Sequence, residues 1–431
     1  MPFLSAGLWI AAARLVARGA LLVAAVLASR ALDPAEFGAY AYVLAYLGAA
    51  SLVGGLGLEQ TAMISVARAR AHGGGADFDR AVGRILVRAL PGAAGVALIV
   101  AALCRTVLAS PTEIVAVAVV AAVVSLCVVA AGFLRGLDRP VAAAVVLEGG
   151  RGAACFAGAV SLHLGVPATE VWTVTAIAAL CVLAATVATV VGAWLGGRTH
   201  DAAGSGAAAP EAVAGQGTFL AVVFATNLYL WLVPIVLERA GPVEEVGKFN
   251  VAMQLPALVS FLSTSLEMAL LGRIAAAHAT GRIGDLQPLL RSAARLVSLV
   301  VLPAAAALAL FREPALALFG DGYRDTATAM GLAIAAQVVS VACGPAGYIV
   351  LLTGRERLNM AVMAGSSLAG LAVVVLAAPA FGHVAAAAGF LVSIAAANLV
   401  LAWICVTRLG IDPTLRAAFE PRRTEGHADA S

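Results

Sequence analysis

The stretch "DPAEFGAY", Asp33–Tyr40, decides how this chain is read, because a near copy, "PVEEVGKF", stands far downstream at Pro242–Phe249. Each copy is polar at its front and lies between two long apolar runs. The run after the first holds Glu59, then an arginine-rich segment (Arg80, Arg84, Arg88) and Pro91; the run after the second holds Glu267, then Arg282, Arg291 and Arg295, and Pro303. Further on, "RGLDRP", Arg135–Pro140, is answered by "TGRERL", Thr353–Leu358. Features that return in one order and spacing read as a tandem duplication.

What is duplicated follows from composition. Of 431 residues, 62% are hydrophobic and only 12% charged, with mean hydropathy +0.99; a soluble domain carries roughly 25% charged residues. Apolar runs of about 20 residues, enough to cross some 30 Å of hydrocarbon as a helix, recur from end to end. They are rich in Ala, Leu and Val and do not alternate, which excludes a membrane barrel. The fold class is therefore all-α and polytopic. Cys104, Cys127, Cys155, Cys181, Cys343 and Cys405 stand singly in apolar segments, with no Cys/His cluster, so no metal site is expected. The N-terminal run has no basic region ahead of it and carries Arg14 and Arg18 inside it, which reads as a retained span rather than a cleaved signal.

Spans are expected at 8–29, 38–65, 85–106, 113–134, 141–164, 170–195, 218–238, 246–271, 292–312, 326–352, 360–380 and 384–407, twelve in all. One set of connections, with the C-terminal tail, holds eighteen arginines: 68, 70, 80, 84, 88, 135, 139, 198, 273, 282, 291, 295, 355, 357, 408, 416, 422 and 423. The opposite side holds six basic residues, Arg30, Arg105, Arg239, Lys248, Arg312 and Arg324. Positive charge is retained on the inner side, so both termini are expected in the cytoplasm. The stretch "GGRTHDAAGSGAAAPEAVAGQG", Gly196–Gly217, has the composition of a flexible linker. The expected domains are a six-helix lobe at 1–195, a cytoplasmic linker at 196–217, a second six-helix lobe at 218–408 and a cytoplasmic tail at 409–431. An even span number per unit makes the two lobes parallel, related by an axis along the membrane normal.

The segments "ALDPAEFGAY", "GFLRGLDRP" and "VGKFNVAMQLPAL" resemble the polysaccharide transporter family, over about residues 4–408. That family contains the O-antigen and exopolysaccharide flippases of the multidrug/oligosaccharidyl-lipid/polysaccharide export (MATE/MOP) superfamily. The resemblance implies two six-helix bundles in a V around a cavity that opens to each side in turn. It implies a flippase that carries a polyprenyl-pyrophosphate-linked oligosaccharide to the outer leaflet of the bacterial cytoplasmic (inner) membrane for surface polysaccharide assembly. No catalytic residues, cofactor or nucleic acid are implied; the expected partners are the lipid-linked substrate, membrane lipids, a polysaccharide polymerase and chain-length proteins. Related lipid II flippases usually carry two further C-terminal spans, which points away from the peptidoglycan precursor.

Ionisable groups in hydrocarbon cost about 2.5–3.5 kcal/mol each on insertion scales, so they face water or a partner. Arg14 and Arg18 lie four apart on one face of the first span. Two readings stand: a cationic wall that grips the phosphates of the substrate, or an interfacial anchor in which Arg14 snorkels. Arg151 sits mid-span with Glu148 one turn before it, either as a self-neutralising pair or as a third cation with a releasable, protonatable counter-ion. Glu59 and Glu267 match in the two halves and suggest a cytoplasmic gate closed by Arg68 or Arg273, the alternative being local helix-end ion pairs. Asn227, Gln254, Gln337 and Asn398 are candidates to contact sugar, or to bond between helices. His163 and His383 are read as exposed turn residues without a role.

Two other functions compete. A cation-coupled multidrug exporter of the same superfamily would call for acidic cavity residues, whereas the midplane charge of the first half is positive and no span holds Asp. A membrane-embedded polymerase would need large outer loops, and these are short.

Overall fold

The "DPAE" quartet begins a helix. In the computed structural model, which describes residues 2–53, 58–71, 75–198, 216–268, 274 and 286–416, the Glu36 N–H donates to Asp33 Oδ1 at 2.7 Å. The Asp33 N–H donates back to Glu36 Oε2 at 3.2 Å. This reciprocal capping, with Pro34 as first helical residue, satisfies donors that a helix start leaves open. Ser110, Pro111 and Glu113 repeat the device at another helix start.

The helices in chain order are α1 (Pro2–Ala31), α2 (Pro34–Val53), α3 (Leu58–Ala71), α4 (Gly75–Cys104), α5 (Pro111–Gly136) and α6 (Pro140–Ala144). A π turn, Val145–Gly149, leads into α7 (Gly150–His163), followed by α8 (Val171–Arg198), α9 (Gln216–Ala240), α10 (Glu244–Gln254) and α11 (Pro256–Met268). Last come α12 (Leu286–Leu310), α13 (Arg312–Ala317), a 3-10 segment Asp321–Thr326, α14 (Ala327–Cys343), α15 (Ala346–Leu352) and α16 (Glu356–Leu409). Among the described residues every regular element is helical, and 8 are long and apolar enough to cross a membrane. α16 is two legs, because Gly382 takes φ 46° and ψ −125° and breaks it. Behind that break the legs meet backbone to backbone at Gly370 and Gly389.

Three expected spans are not single helices. The run 246–271 divides before Pro256, which has no N–H to donate and crowds the preceding turn. The run 326–352 divides at Gly344, whose φ of 64° is followed by Pro345. The run 38–65 is carried by α2 and α3, with 54–57 outside the described residues. Most of the expected linker (199–215) and of the tail (417–431) also lies outside them.

Within the first half α5 packs on α2, α3, α4 and α8, and α1 on the α6–α7 unit. Within the second, α16 packs on α9, α10, α14 and α15, and α11 on α12. The halves meet through α2, which lies on α9 and α10. Here the two copies of the repeated segment touch. A methyl group added to Gly38 would run into the carbonyl of Val243, and one added to Gly247 would lie 3.1 Å from the Gly38 Cα. Phe37 meets Tyr323 edge-on at 5.6 Å, and Tyr46 donates to the Trp231 carbonyl at 3.1 Å. Arg30 donates to the carbonyls of Leu318 (2.7 Å) and Ala317 (3.2 Å). One apolar cluster runs through the contact, from Phe37, Tyr40 and Leu47 to Val246, Phe249 and Tyr323. Lipid gives helices no hydrophobic drive to associate, so dispersion across small residues carries such a seam.

If this contact is set by glycine, Gly38→Ala should lower stability in detergent by about 1–3 kcal/mol through overpacking. Gly19→Ala, where nothing lies within 4 Å of the new methyl, should be neutral or gain up to about 1 kcal/mol. Thermal unfolding of the two variants decides it; equal melting curves would mean that the seam is not close-packed.

Candidate functional site

The arginines singled out in the apolar runs meet in one corner. Gly152 brings α7 against α1: a methyl there would stand 3.2 Å from the Ala17 carbonyl. Ala17 is buried in this contact, and Arg14 and Arg18 flank it. Arg14 Nε lies 3.9 Å from Glu148 Oε1, with both side chains about three-quarters buried. The π turn, wider than an α turn, carries Glu148 at the join of α6 and α7. Arg151 turns instead to α2 and donates to Ser51 Oγ at 3.1 Å, while Ser51 donates to the Gly48 carbonyl at 2.6 Å. Arg18 is exposed, and its charge reaches Arg151.

Of the two readings of Glu148 and Arg151, the structure has Glu148 bridging to the first helix and Arg151 hydrogen-bonded to a neutral hydroxyl, with the Glu148 charge still acting on it. Among the described residues the three guanidinium groups gather about one carboxylate, Glu148. Guanidinium forks suit phosphate oxygens, which they can take two at a time.

Glu59 takes Arg135, at the end of α5, as an ion-pair partner. The "GFLRG" run explains the choice. A methyl on Gly132 would strike the Glu59 carbonyl, and one on Gly136 would stand 2.7 Å from the Met63 carbonyl, so these glycines seat α3 directly beside Arg135. The side chains of Arg68 and Glu267, and Arg273 altogether, lie outside the described residues.

The amides do not gather at this corner. Asn227 and Asn398 donate to carbonyls four residues back in their own helices, each at 2.9 Å, and Gln254 donates to Asn250 Oδ1 at 2.9 Å. Gln337 is buried in α14. His163 is exposed as expected, but His383 is not: it is buried, and its Nδ1 lies 2.7 Å from Glu245 Oε2.

Comparison with known proteins places this geometry. The family described as "Polysaccharide biosynthesis protein" matches residues 3–278, well over half of the chain. The chain belongs to that family. No curated protein matches it. Among solved structures, the inward-facing conformation of a multidrug resistance MATE family transporter of the MOP superfamily is similar with TM-score 0.68 at 14% identity, over 93% of this chain and 98% of that one. The outward-facing conformation of such a transporter gives TM-score 0.60 at 12% identity, over 94% and 95%. A MATE protein in complex with MaD3S gives 0.60 at 14%, over 94% and 93%. The polysaccharide biosynthesis family member is accordingly a polytopic membrane protein with a fold like that of MATE family transporters.

Sequence reasoning missed Ser51 and the role of Arg135. Ser51 was visible as a hydroxyl in an apolar run, three residues after Gly48; Arg135 was visible inside the GxxxG spacing that marks close helix contact. A double-mutant cycle on Glu59→Gln and Arg135→Gln should return a coupling of about 1 kcal/mol in thermal stability. Additive effects would show that the two charges act independently.

Proposed function

We propose that the protein is a flippase for a polyprenyl-pyrophosphate-linked oligosaccharide, moving it from the cytoplasmic to the outer leaflet for cell-surface polysaccharide assembly. The observation that carries this reading is the cationic corner: Arg14, Arg18 and Arg151 converge with, among the described residues, one carboxylate, Glu148, and Arg18 keeps its side chain exposed. A pyrophosphate brings negative charge to these arginines, and its oxygens match guanidinium donors. The polar head would pass between two six-helix lobes, 1–195 and 218–408, while the prenyl tail stays in lipid. Twelve spans, the linker 196–217 and a tail at 409–431, with both termini in the cytoplasm of a bacterial cell, complete the arrangement. Alternating access by rocking of the lobes suits the seam through α2. An inside-negative membrane potential favours outward movement of an anionic head by about 2.3 kcal/mol per charge per 100 mV.

A second reading is favoured by the solved structures of similar fold, which include multidrug transporters. On that reading the chain exports small molecules, and cations would need an acidic site. Glu148 is the acidic group of the corner and is paired with Arg14, which is why we place this reading second.

Arg18→Ala should abolish surface polymer in a polysaccharide-deficient host while protein abundance stays normal, because losing an intramembrane charge eases insertion. Arg18→Lys should keep partial activity and Arg18→Gln should behave like Ala. If Arg14→Ala and Arg18→Ala, singly and together, give as much polymer as the parent, the corner does not bind substrate and the arginines are anchors.

A further inference from the structure

The two copies of the repeated segment differ in what their matching glutamate does. In the first copy Glu36 caps the start of its own helix, with Asp33 as reciprocal partner. In the second, Pro242 stands where Asp33 would be, and Glu245, the counterpart of Glu36, reaches across to another helix. Its Oε2 accepts the backbone N–H of His383 at 2.7 Å and faces His383 Nδ1 at 2.7 Å. His383 opens the second leg of α16, so the carboxylate caps that leg, where the helix dipole favours an anion. The contact also requires Gly382: a side chain there would overlap the Glu245 carboxylate. The kink in α16 and the carboxylate are thus built around one another.

Glu245 lies between the expected spans. Burial raises the carboxyl, but the His383 backbone and ring, with Lys248, more than offset it and hold Glu245 below the usual carboxylate range. It is ionised at neutral pH, and an ionised carboxylate only accepts, so the ring nitrogen facing it carries its proton. Lys248 extends the chain of charges, 3.7 Å from Glu245 and 2.8 Å from Asp325 of the 3-10 segment. Glu245, Lys248, Asp325, Pro379 and His383 border a cavity of about 330 Å³, which leaves room for the cluster to rearrange. One residue away, Val243 and Glu244 supply the backbone on which Gly38 rests.

We propose that Glu245 is a conformational clasp. It ties the Gly382 kink to the first turn of α10 and so fixes the backbone of Val243 and Glu244 on which α2 of the first half rests, so that its release loosens the seam at this end of the molecule. Opening at this end begins with release of His383 from Glu245. The clasp does not depend on what the protein transports.

The test uses the full chain in lipid nanodiscs, with native cysteines replaced and spin labels at exposed Ala35 and Gly322, on opposite sides of the seam. Glu245→Gln keeps the shape and removes the charge. It should raise the population with a long interlabel distance by about tenfold, the worth of a hydrogen-bonded charge. His383→Gln, which keeps the backbone N–H but drops the ring contact, should raise it by less. Glu36→Gln serves as control, since Glu36 caps only its own helix, and should leave the distances as in the parent. The proposal is overturned if Glu245→Gln leaves the parent distribution unchanged, or if Glu36→Gln opens the seam as far. Should Glu245→Gln not yield folded protein, His383→Gln decides alone: a parent-like distribution overturns the proposal.

Discussion

The two halves of this protein meet on a backbone contact between two copies of one short segment. Gly38 lies on the Val243 carbonyl, and Gly247 lies on Phe37 and Gly38. In lipid, burying apolar surface between helices gains little over leaving it in the acyl chains, so the closeness of approach decides what associates. A residue without a side chain is the means of that approach. Around it the larger side chains, Phe37, Tyr40, Phe249 and Tyr323, close a continuous apolar cluster that leaves α2 shared between the halves. Because α2 also supplies Ser51 to Arg151, the helix that forms the seam is in contact with the cationic corner.

Charge is handled by a second constraint. A lone ion in hydrocarbon is costly, and each buried charge described here has a use or a neighbour. Glu59 and Arg135 neutralise each other at a glycine-seated crossing of α3 and α5. Glu245, Lys248, Asp325 and His383 form a linked set at the end of the second half. The corner at Arg14, Arg18 and Arg151 brings three arginines together inside the apolar runs, which is why the functional reading rests there.

Much of this was legible before any coordinates. Arginines inside apolar runs stand out because lipid excludes them, whereas the quartets Asp33–Glu36 and Ser110–Glu113 were passed over as polar connections although their chemistry caps helix starts. The duplicated segment was visible as a repeat, but not that its copies touch, since adjacency of residues so far apart is a property of the packing. That Glu59 meets Arg135 was hidden for a related reason: the two are far apart in sequence and come together only once Gly132 and Gly136 have brought α5 onto α3. His383 looked like an exposed turn residue because nothing in its own neighbourhood shows that Glu245 bends over it. The breaks at Pro256 and Gly344–Pro345 were present in the sequence, yet averaging hydropathy over a span length conceals them.

The central claim is that positive charge on the wall of the transport path selects an anionic lipid-linked head. Its most direct test is transport by the purified protein in proteoliposomes, offered in parallel a prenyl-pyrophosphate-linked sugar and a lipophilic organic cation. The account predicts leaflet exchange of the pyrophosphate lipid and no uptake of the cation. Uptake of the cation with no movement of the pyrophosphate lipid would contradict it and would make the chain a small-molecule exporter.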